Sequence, residues 1–157
     1  MQETAEQEAR VTIRGLKPDD LEAVIRLDAK NVGRRREEFF KAKLHQNLVE
    51  AGIKVSLAAE LDGCFAGFLL ARVYYGEFGA PEPVAVLDTI GVHPDFQSQG
   101  AGAALVRQLC VNLRGLEVSR LQTNVSWNDP RLLTFFHRQQ FQPAPQFCLE
   151  RDLARQD

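Results

Sequence analysis

The segment of residues 84–113 limits the fold of this chain more than any other part of the sequence. Val84–Val92 is a nearly unbroken apolar run of strand length, and a turn containing Gly100 and Gly102 follows it. Residues 100–113 then place apolar side chains along one stripe at helical spacing. An apolar run of this kind is typical of a strand that is covered on both faces. We therefore predict an interior strand, a tight turn and an amphipathic helix that packs on the sheet.

Strand and helix signals alternate through the rest of the chain. Pro18 and the acids that follow it suit the first turn of a helix, and Asp62-Gly63 is a hairpin turn between two apolar strands. The predicted elements are, in order, a strand (residues 11–14), two helices (18–30 and 34–49), a hairpin (54–61 and 64–75), the strand and helix above, a strand (120–125), a helix (130–138) capped by Asn128 or Asp129, and one or two strands up to residue 153. This order predicts an α/β (α+β) domain with a mixed sheet and one β-α-β crossover.

Length and charge limit the class of protein. The 157 residues suit one domain, predicted over residues 11–157, after a flexible N-terminal tail at residues 1–10. A net charge of -2 gives no general attraction to nucleic acid or to an anionic membrane, and no apolar run is long enough to span a bilayer. We therefore expect a cytoplasmic protein with no nucleic-acid or membrane partner.

The cysteines and histidines do not have the spacing of a metal site. Cys64, Cys110 and Cys148 are odd in number, widely spaced and set among apolar neighbours, so we interpret them as buried thiols. The histidines lack the paired spacing of metal ligands on one helix face. No metal is predicted.

The turn between the apolar strand and the helix is a candidate phosphate-binding site. It reads His93-Pro94-Asp95-Phe96-Gln97-Ser98-Gln99-Gly100-Ala101-Gly102, with Ala103 and Ala104 after it. Small residues here let successive main-chain N–H groups approach a pyrophosphate, where the helix dipole also favours negative charge. Neither a P-loop nor a three-glycine dinucleotide fingerprint is present. Other phosphate ligands, or a helix start that uses glycine only to turn, stay open on spacing alone.

The same residues resemble the signature of the GNAT acetyltransferases. In that signature valine, any residue and proline precede Gln/Arg-x-x-Gly-x-Gly/Ala, which is matched by Val92, Pro94, Gln97, Gly100 and Gly102. The order of elements resembles the family over nearly the whole chain. The resemblance implies a mainly antiparallel central sheet flanked by about four helices. It also implies acetyl-CoA as the acyl donor and a primary amine, in a small molecule or a peptide, as the acceptor that attacks directly in a ternary complex.

The resemblance further implies roles for the strand and the turn. The main chain of Ile90, Gly91 and Val92 would bind the pantetheine arm, and the N–H of Val92 would stabilise the developing oxyanion. Gly91 would mark a bulge or a close approach that opens the sheet there, or else be a packing glycine. The pyrophosphate would lie against the turn, which comprises Gln97, Ser98, Gln99, Gly100, Ala101, Gly102 and Ala103.

Asp88 is the candidate general base. It is the only charged residue in the apolar run, and strand periodicity places it on the face of Ile90 and Val92. An amine with a pKa of about 10.4 must lose a proton before it attacks. A carboxylate in an apolar cleft would have a raised pKa that suits this task, directly or through water. An aspartate that is hydrogen-bonded to the loop or to Thr89 is the alternative.

The C-terminal part departs from the family pattern at two positions. Phe136 stands where many members have a tyrosine near the leaving sulfur, so Phe135 and Phe136 are interpreted as core or cofactor-wall residues. Gln140 stands where glycine is usual, which would cost about 1 kcal/mol if the position requires positive φ. Asn128 is a candidate cofactor contact, and Trp127 is predicted in the core.

Three other hypotheses stay open. A non-catalytic acyl-CoA-binding sensor or regulatory domain would keep the turn without the chemistry, and Phe136 is its main support. Arg34, Arg35 and Arg36 begin the second helix either as solvated side chains or as contacts to an acidic acceptor or a cofactor phosphate. A homodimer that pairs through an exposed C-terminal strand is the third.

Overall fold

The computed structural model describes residues 10–155. Within that range the chain forms five strands and four α-helices, with a short 3-10 turn before the first helix and a π-turn after the second. In chain order they are β1 (Val11–Gly15), α1 (Leu21–Val32), α2 (Glu37–His45), β2 (Leu57–Leu61), β3 (Cys64–Tyr74), β4 (Val84–Val92), α3 (Ala101–Gly115), β5 (Leu121–Thr123) and α4 (Pro130–Arg138). The tail predicted at residues 1–10 lies outside the described residues except for Arg10, which pairs with Asp62 at 2.6 Å.

The chain divides into two compact units, one up to Asn124 and one from Val125 onward, and each is described by itself. The single domain predicted over residues 11–157 stays a prediction. No helix among residues 10–155 is both long enough and apolar enough to cross a membrane.

The first unit contains one five-stranded sheet in the order β1-β2-β3-β4-β5. The first four strands are antiparallel, whereas β5 runs parallel to β4 after the α3 crossover. This confirms the mixed, mainly antiparallel sheet and the interior position of β4. The expectation that β4 is covered on both faces was wrong, because only Ala85 and Leu87 of this strand are buried. The part of β4 nearest the turn is therefore accessible.

The two faces of the sheet pack on different helices. On one face, α1 and α2 close over Phe68 and Leu70, with Phe40 and Phe68 in edge-to-face contact at 5.8 Å between ring centroids. On the other face α3 buries its apolar stripe, including Leu105 and Leu109. The predicted amphipathic helix is confirmed, and burial of aromatic and aliphatic side chains on both faces stabilises the unit.

The basic segment before α2 is used within the fold. Arg36 donates two hydrogen bonds to the buried carboxylate of Asp28, at 2.6 and 2.8 Å. Arg35 pairs with Glu22 and Glu37. A buried carboxylate needs such a partner because unpaired burial of its charge is costly. Arg35 and Arg36 therefore join α1 to α2, a role that the sequence hypotheses for this segment did not include.

The interpretation of the cysteines as buried thiols was wrong at two of three positions. Cys64 is exposed because it begins β3 at the hairpin turn, and Cys148 is exposed in an irregular segment. Cys110 is partly covered on α3. Apolar neighbours in the sequence did not predict burial of these two thiols. Residues at the end of a turn or in an irregular segment do not follow the alternation by which a strand buries every second side chain.

In the second unit, α4 has well-defined ends. The Asp129 carboxylate accepts a hydrogen bond from the N–H of Leu132, so Asp129 rather than Asn128 is the cap. At the other end Gln140 has φ of 68°, its N–H donates to His137, and the N–H of Phe141 donates to Phe136. This pattern is a Schellman motif, so the condition under which glutamine was expected to cost stability at this position is met.

The final strands predicted up to residue 153 were wrong, since residues 142–155 contain no strand. Pro143 and Pro145 lack the N–H that a strand ladder needs, which keeps residues 143–145 out of a ladder, and nothing in the structure explains the irregular backbone of residues 146–153. The apolar side chains of Phe147 and Leu149 are exposed, and so is Trp127, which we had expected in the core. The dimer hypothesis loses its structural argument, because the strand that would have paired is not formed.

Replacing Gln140 with glycine should stabilise the second unit by up to about 1 kcal/mol, since glycine adopts the left-handed conformation without a Cβ penalty. The midpoint of denaturant unfolding would measure the gain. Gly33 ends α1 in the same conformation (φ 82°), so Gly33→Ala is the matched reverse variant and should lose a similar amount. An unfolding midpoint for Gln140→Gly at or below that of the parent protein would contradict the prediction.

Candidate active site

The turn before α3 has the backbone shape of an anion-binding nest. Residues Pro94–Phe96 make one 3-10 turn, Ser98 and Gly100 have positive φ of 66° and 86°, and α3 begins at Ala101. Alternating backbone conformations of this kind turn successive N–H groups toward one point, and the helix dipole adds partial positive charge there. A side chain at position 100 would meet nothing within 4 Å, so glycine is required there by its φ and not by crowding.

Between Ser98 and Ala103, five main-chain N–H groups of this turn have no acceptor among the described residues. The first N–H of the helix that is bonded is Ala104, which donates to the carbonyl of Gly100 at 2.9 Å. Before it, Gln99 donates to Phe96 at 3.4 Å, and the turn offers the free N–H groups of Ser98, Gly100, Ala101, Gly102 and Ala103. Main-chain N–H groups without an acceptor, at the positive end of a fifteen-residue helix, fit a pyrophosphate.

The end of β4 that leads into this turn has one free edge. Among the described residues β5 pairs only with Ala85, Val86 and Leu87, and the Thr123 hydroxyl donates to the Leu87 carbonyl at 2.8 Å where that pairing ends. Beyond this point residues 88–92 have no strand on the β5 side. The sheet is thus open along the five residues that precede the turn.

Main-chain groups of Ile90 and Val92 point into this opening. Antiparallel residue pairs alternate between those that exchange hydrogen bonds and those that do not. The N–H of His93 donates to the carbonyl of Ala66 at 2.8 Å, so His93 and Ala66 form a hydrogen-bonded pair. The adjacent pair of Val92 and Gly67 is therefore a non-hydrogen-bonded pair. The N–H of Val92, and two residues earlier that of Ile90, are therefore directed away from β3. They can pair with an extended ligand, as an added strand would.

A β-bulge lies at Asp88, three residues before the expected position. Thr89 pairs with Leu70 while Leu87 pairs with Ala71, so Asp88 is the extra residue of β4. A bulge breaks the two-residue alternation of side chains. The carboxylate of Asp88 reaches α2, whereas Val92 lies beside Gly67 and Leu105 on the α3 face. The prediction that Asp88 shares a face with Ile90 and Val92 was therefore wrong.

The surroundings of Asp88 are polar and partly exposed. Its carboxylate forms an ion pair with Lys43 of α2, 3.0 Å from Nζ to Oδ2, and accepts a longer hydrogen bond from the Thr89 hydroxyl at 3.4 Å. Its side chain is 37% exposed. The apolar cleft expected around this group is not what surrounds it. Asp88 nevertheless stands at the apex of the opening between β4 and β5, where a carboxylate can reach a ligand.

Gly91 is a packing glycine. A Cβ at this position would lie 2.8 Å from the Phe68 ring and 3.2 Å from Leu27. Phe68 is fully buried against Phe40. The alternative that Gly91 itself marks a bulge was wrong, since the bulge is at Asp88.

Replacing Gly91 with alanine should destabilise the first unit by about 1–3 kcal/mol, because the added methyl group overpacks the core at Phe68. Thermal or denaturant unfolding would measure this loss. Gly15→Ala in β1 is the matched control, since a Cβ there meets nothing within 4 Å. Equal stability of the two variants would contradict the prediction, because it would mean that the Phe68 ring moves aside with no loss of folding free energy.

Asn31 was missed by the sequence analysis. Its amide at the end of α1 donates to the carbonyl of Val92 at 3.0 Å, which fixes the end of β4 beside the turn. The Gln97 amide lies 3.5 Å from the same carbonyl and from Asn31. The Gln97 side chain therefore links the turn to the end of β4. Its predicted contact with a ligand stays a proposal. No local pattern pointed to Asn31, because it is 61 residues from Val92 in sequence.

The predicted site residues of the second unit lie around α4. Phe136 is buried, with its ring 5.2 Å from Phe135 and 4.9 Å from Phe141. Asn128 is exposed in the turn before the helix and accepts a hydrogen bond from Ser126 at 2.5 Å. Phe136 thus acts as the core residue of its unit, and no hydroxyl stands at this position.

The description "Acetyltransferase (GNAT) family" belongs to the family model that matches residues 21–141, a span that includes β4, the turn and α4. This chain is a member of the GNAT acetyltransferase family. Among curated proteins, none matches the sequence.

Solved structures show the same fold. An aminoglycoside N-acetyltransferase crystallised with CoA is similar with a TM-score of 0.75 and 19% identity, over 91% of this chain and 95% of that one. A ribosomal-protein-alanine N-acetyltransferase from Brucella melitensis biovar Abortus 2308 gives a TM-score of 0.72 and 22% identity, over 91% and 99%. A transcriptional regulator from Bacillus halodurans C-125 has a TM-score of 0.74 and 19% identity, over 91% of this chain and 99% of that one.

Proposed function

We propose that this protein transfers an acetyl group from acetyl-CoA to a primary amine by direct attack in a ternary complex. The observation that carries the proposal is the continuity of two sets of free main-chain N–H groups. The edge of β4 at Ile90 and Val92 leads directly into the unpaired N–H groups of the turn from Ser98 to Ala103. An extended arm that ends in a pyrophosphate matches this arrangement of donors and acceptors.

The donor would be held mainly by main-chain groups of the strand and the turn. Ser98, Gly100, Ala101, Gly102 and Ala103 would bind the pyrophosphate through their N–H groups, with Gln97 and Gln99 supporting the turn. The main chain of Ile90, Gly91 and Val92 would follow the pantetheine arm. Acetyl-CoA supplies an activated thioester, and the remaining chemistry falls to side chains and main-chain groups of the protein.

Asp88 is the residue that we assign to proton removal. A protonated amine cannot attack, and the carboxylate at the apex of the opening can accept its proton directly or through water. The N–H of Val92 points into the same opening and would stabilise the negative charge that develops on the carbonyl oxygen. The leaving thiolate would take its proton from water, because Phe136 provides no acid.

The acceptor class follows from chemistry and from the proteins of the same fold. An N-acetyltransferase of aminoglycosides and one of ribosomal-protein alanine both act on amines. We propose a primary amine of a small molecule or a peptide as the acceptor for this chain. The carboxylate of Asp88 favours a cationic amine at this point.

A non-catalytic acyl-CoA-binding domain is the second candidate. It is favoured by Phe136, whose burial between Phe135 and Phe141 leaves the usual acid position without a hydroxyl. Such a domain would bind acetyl-CoA through the same turn but release no CoA. The two functions therefore share their binding site and differ only in turnover.

Titration calorimetry with acetyl-CoA, followed by a thiol-release assay over a panel of amines, tests the proposal. Binding together with amine-dependent release of CoA supports the transferase. Binding without release from any amine supports the second candidate. Absence of binding would contradict both, because the turn and the free edge carry the two functions alike.

A further inference from the structure

Lys43 is the one lysine whose ammonium contacts β4 within the described part of the chain. The chain has five lysines, at positions 17, 30, 41, 43 and 54. Lys43 extends from α2 to the bulge, where Nζ is 3.0 Å from Oδ2 of Asp88. Its side chain is only 29% exposed and passes the Phe39 ring, with 5.9 Å between Nζ and the ring centroid. A primary amine of the protein is thus held at the carboxylate to which we assign proton removal.

Lys41, on the same helix, shows what an ordinary surface lysine does here. It pairs with Glu38 one turn away at 3.2 Å, and its side chain is 56% exposed. A pair of this kind is local and contributes little to stability. Lys43 instead bridges two elements and ends beside the opening in the sheet, so its position is set by the tertiary structure.

The position of Lys43 is the position that an external acceptor amine needs. Such an amine must bring its nitrogen within hydrogen-bond distance of Asp88, directly or through one water, and next to the free edge of β4. The Lys43 nitrogen satisfies the first condition at 3.0 Å, and Asp88 lies directly after Leu87, where the free edge begins. From these two facts we infer that Lys43 is itself an acetyl acceptor, so that the protein acetylates its own Lys43.

This inference is conditional on the proposed function, since it needs acetyl-CoA as the donor. The Lys43 ammonium gives one proton to Asp88, which passes it to solvent. The neutral nitrogen then forms a bond to the acetyl carbonyl carbon, and the carbon–sulfur bond breaks with its electron pair remaining on sulfur. The nitrogen loses a second proton as the amide forms, and the CoA thiolate takes up a proton. One acetyl group is transferred, and CoA and one proton are released.

An amine that is already positioned has a large advantage over one from solution. Well-oriented groups in one molecule react as if present at very high concentration, provided that the reacting atoms are aligned. Reaction within one molecule also makes the rate independent of protein concentration. Lys43 should therefore react faster than Lys41 by at least about tenfold.

The test uses the full chain and isotope-labelled acetyl-CoA without any added amine. Peptide mass mapping over time measures the labelled fraction of each lysine, at two protein concentrations and again in denaturant. We expect label at Lys43 first, at a rate that does not depend on protein concentration, with the advantage over Lys41 lost on unfolding. Asp88→Asn should slow labelling of Lys43 by roughly a hundredfold, because its general base is removed.

Two conservative variants complete the test. Lys43→Arg keeps the positive charge beside Asp88 and should abolish the principal labelled product, whereas Lys41→Arg should leave it unchanged. Equal labelling of Lys43 and Lys41 in the folded protein would overturn the inference. If amines are acetylated but Lys43 is not, the inference fails and the proposed function stands. If acetyl-CoA does not bind by calorimetry, both fail.

Discussion

Asp88→Asn should lower the rate of acetyl transfer to an external amine by roughly a hundredfold at neutral pH. Asparagine has nearly the same shape but accepts no proton, so the amine must lose its proton to bulk water. The affinity for acetyl-CoA should change little, because the predicted contacts to the donor come from main-chain groups. Steady-state kinetics over a range of pH, with calorimetry of acetyl-CoA, would measure the two effects separately.

The Asp88 experiment needs a control for the lost ion pair. Loss of a partly exposed pair such as Asp88 and Lys43 costs at most about 1 kcal/mol of stability. Glu38→Gln breaks the exposed ion pair of Glu38 with Lys41 on α2 and should leave the rate unchanged and the stability nearly so. If Asp88→Asn keeps the parent pH–rate profile, Asp88 has no part in proton transfer.

Gly100→Val should weaken acetyl-CoA binding at least about tenfold, which corresponds to 1.4 kcal/mol or more. A β-branched residue at φ of 86° is strained, and relief of this strain rotates the peptide groups of the turn. Five N–H groups would then no longer converge. Titration calorimetry with acetyl-CoA measures the loss.

Gly33→Val is the matched control for the turn. Gly33 has φ of 82° and, like Gly100, open space where a Cβ would be, but it ends α1 and contributes no N–H to the turn. Both variants should lose similar stability, whereas only Gly100→Val should lose affinity. Equal acetyl-CoA affinity in the two variants would mean that the turn does not bind the donor.

The two variants separate the two halves of the proposed site. Gly100→Val acts on donor binding and Asp88→Asn acts on turnover, so a transferase responds to both. The acyl-CoA-binding domain of the second candidate would respond to Gly100→Val alone. The pattern across both variants is therefore more informative than either result.

Local sequence signals were sufficient for the main parts of the binding site. The apolar run and its glycine turn predicted β4, the turn and α3, because hydrophobic period and glycine φ are properties of neighbouring residues. The same holds for the Asp62-Gly63 hairpin. Signals of this kind failed after residue 141, where an apolar run follows two prolines and forms no strand.

The surroundings of the proposed base were not predictable in this way. Strand periodicity put Asp88 on the face of Val92, and the bulge reversed that result by inserting one residue into β4. The position of the bulge depends on how β3 and β4 pair and pack against the helices. A short stretch of sequence does not contain that information. Lys43 and Asn31 reach the site from α2 and α1, more than forty residues away in sequence.

The amino-acid sequence was enough to predict the order of elements, the glycine turn at the start of α3 and the resemblance to the GNAT family. The position at which the sheet opens, the face that Asp88 takes and the amine that it binds depend on tertiary packing. The physical reason is range: dihedral preference and hydrophobic period act between neighbours, whereas strand register and ion pairs are fixed by the packing of segments that are distant in the chain.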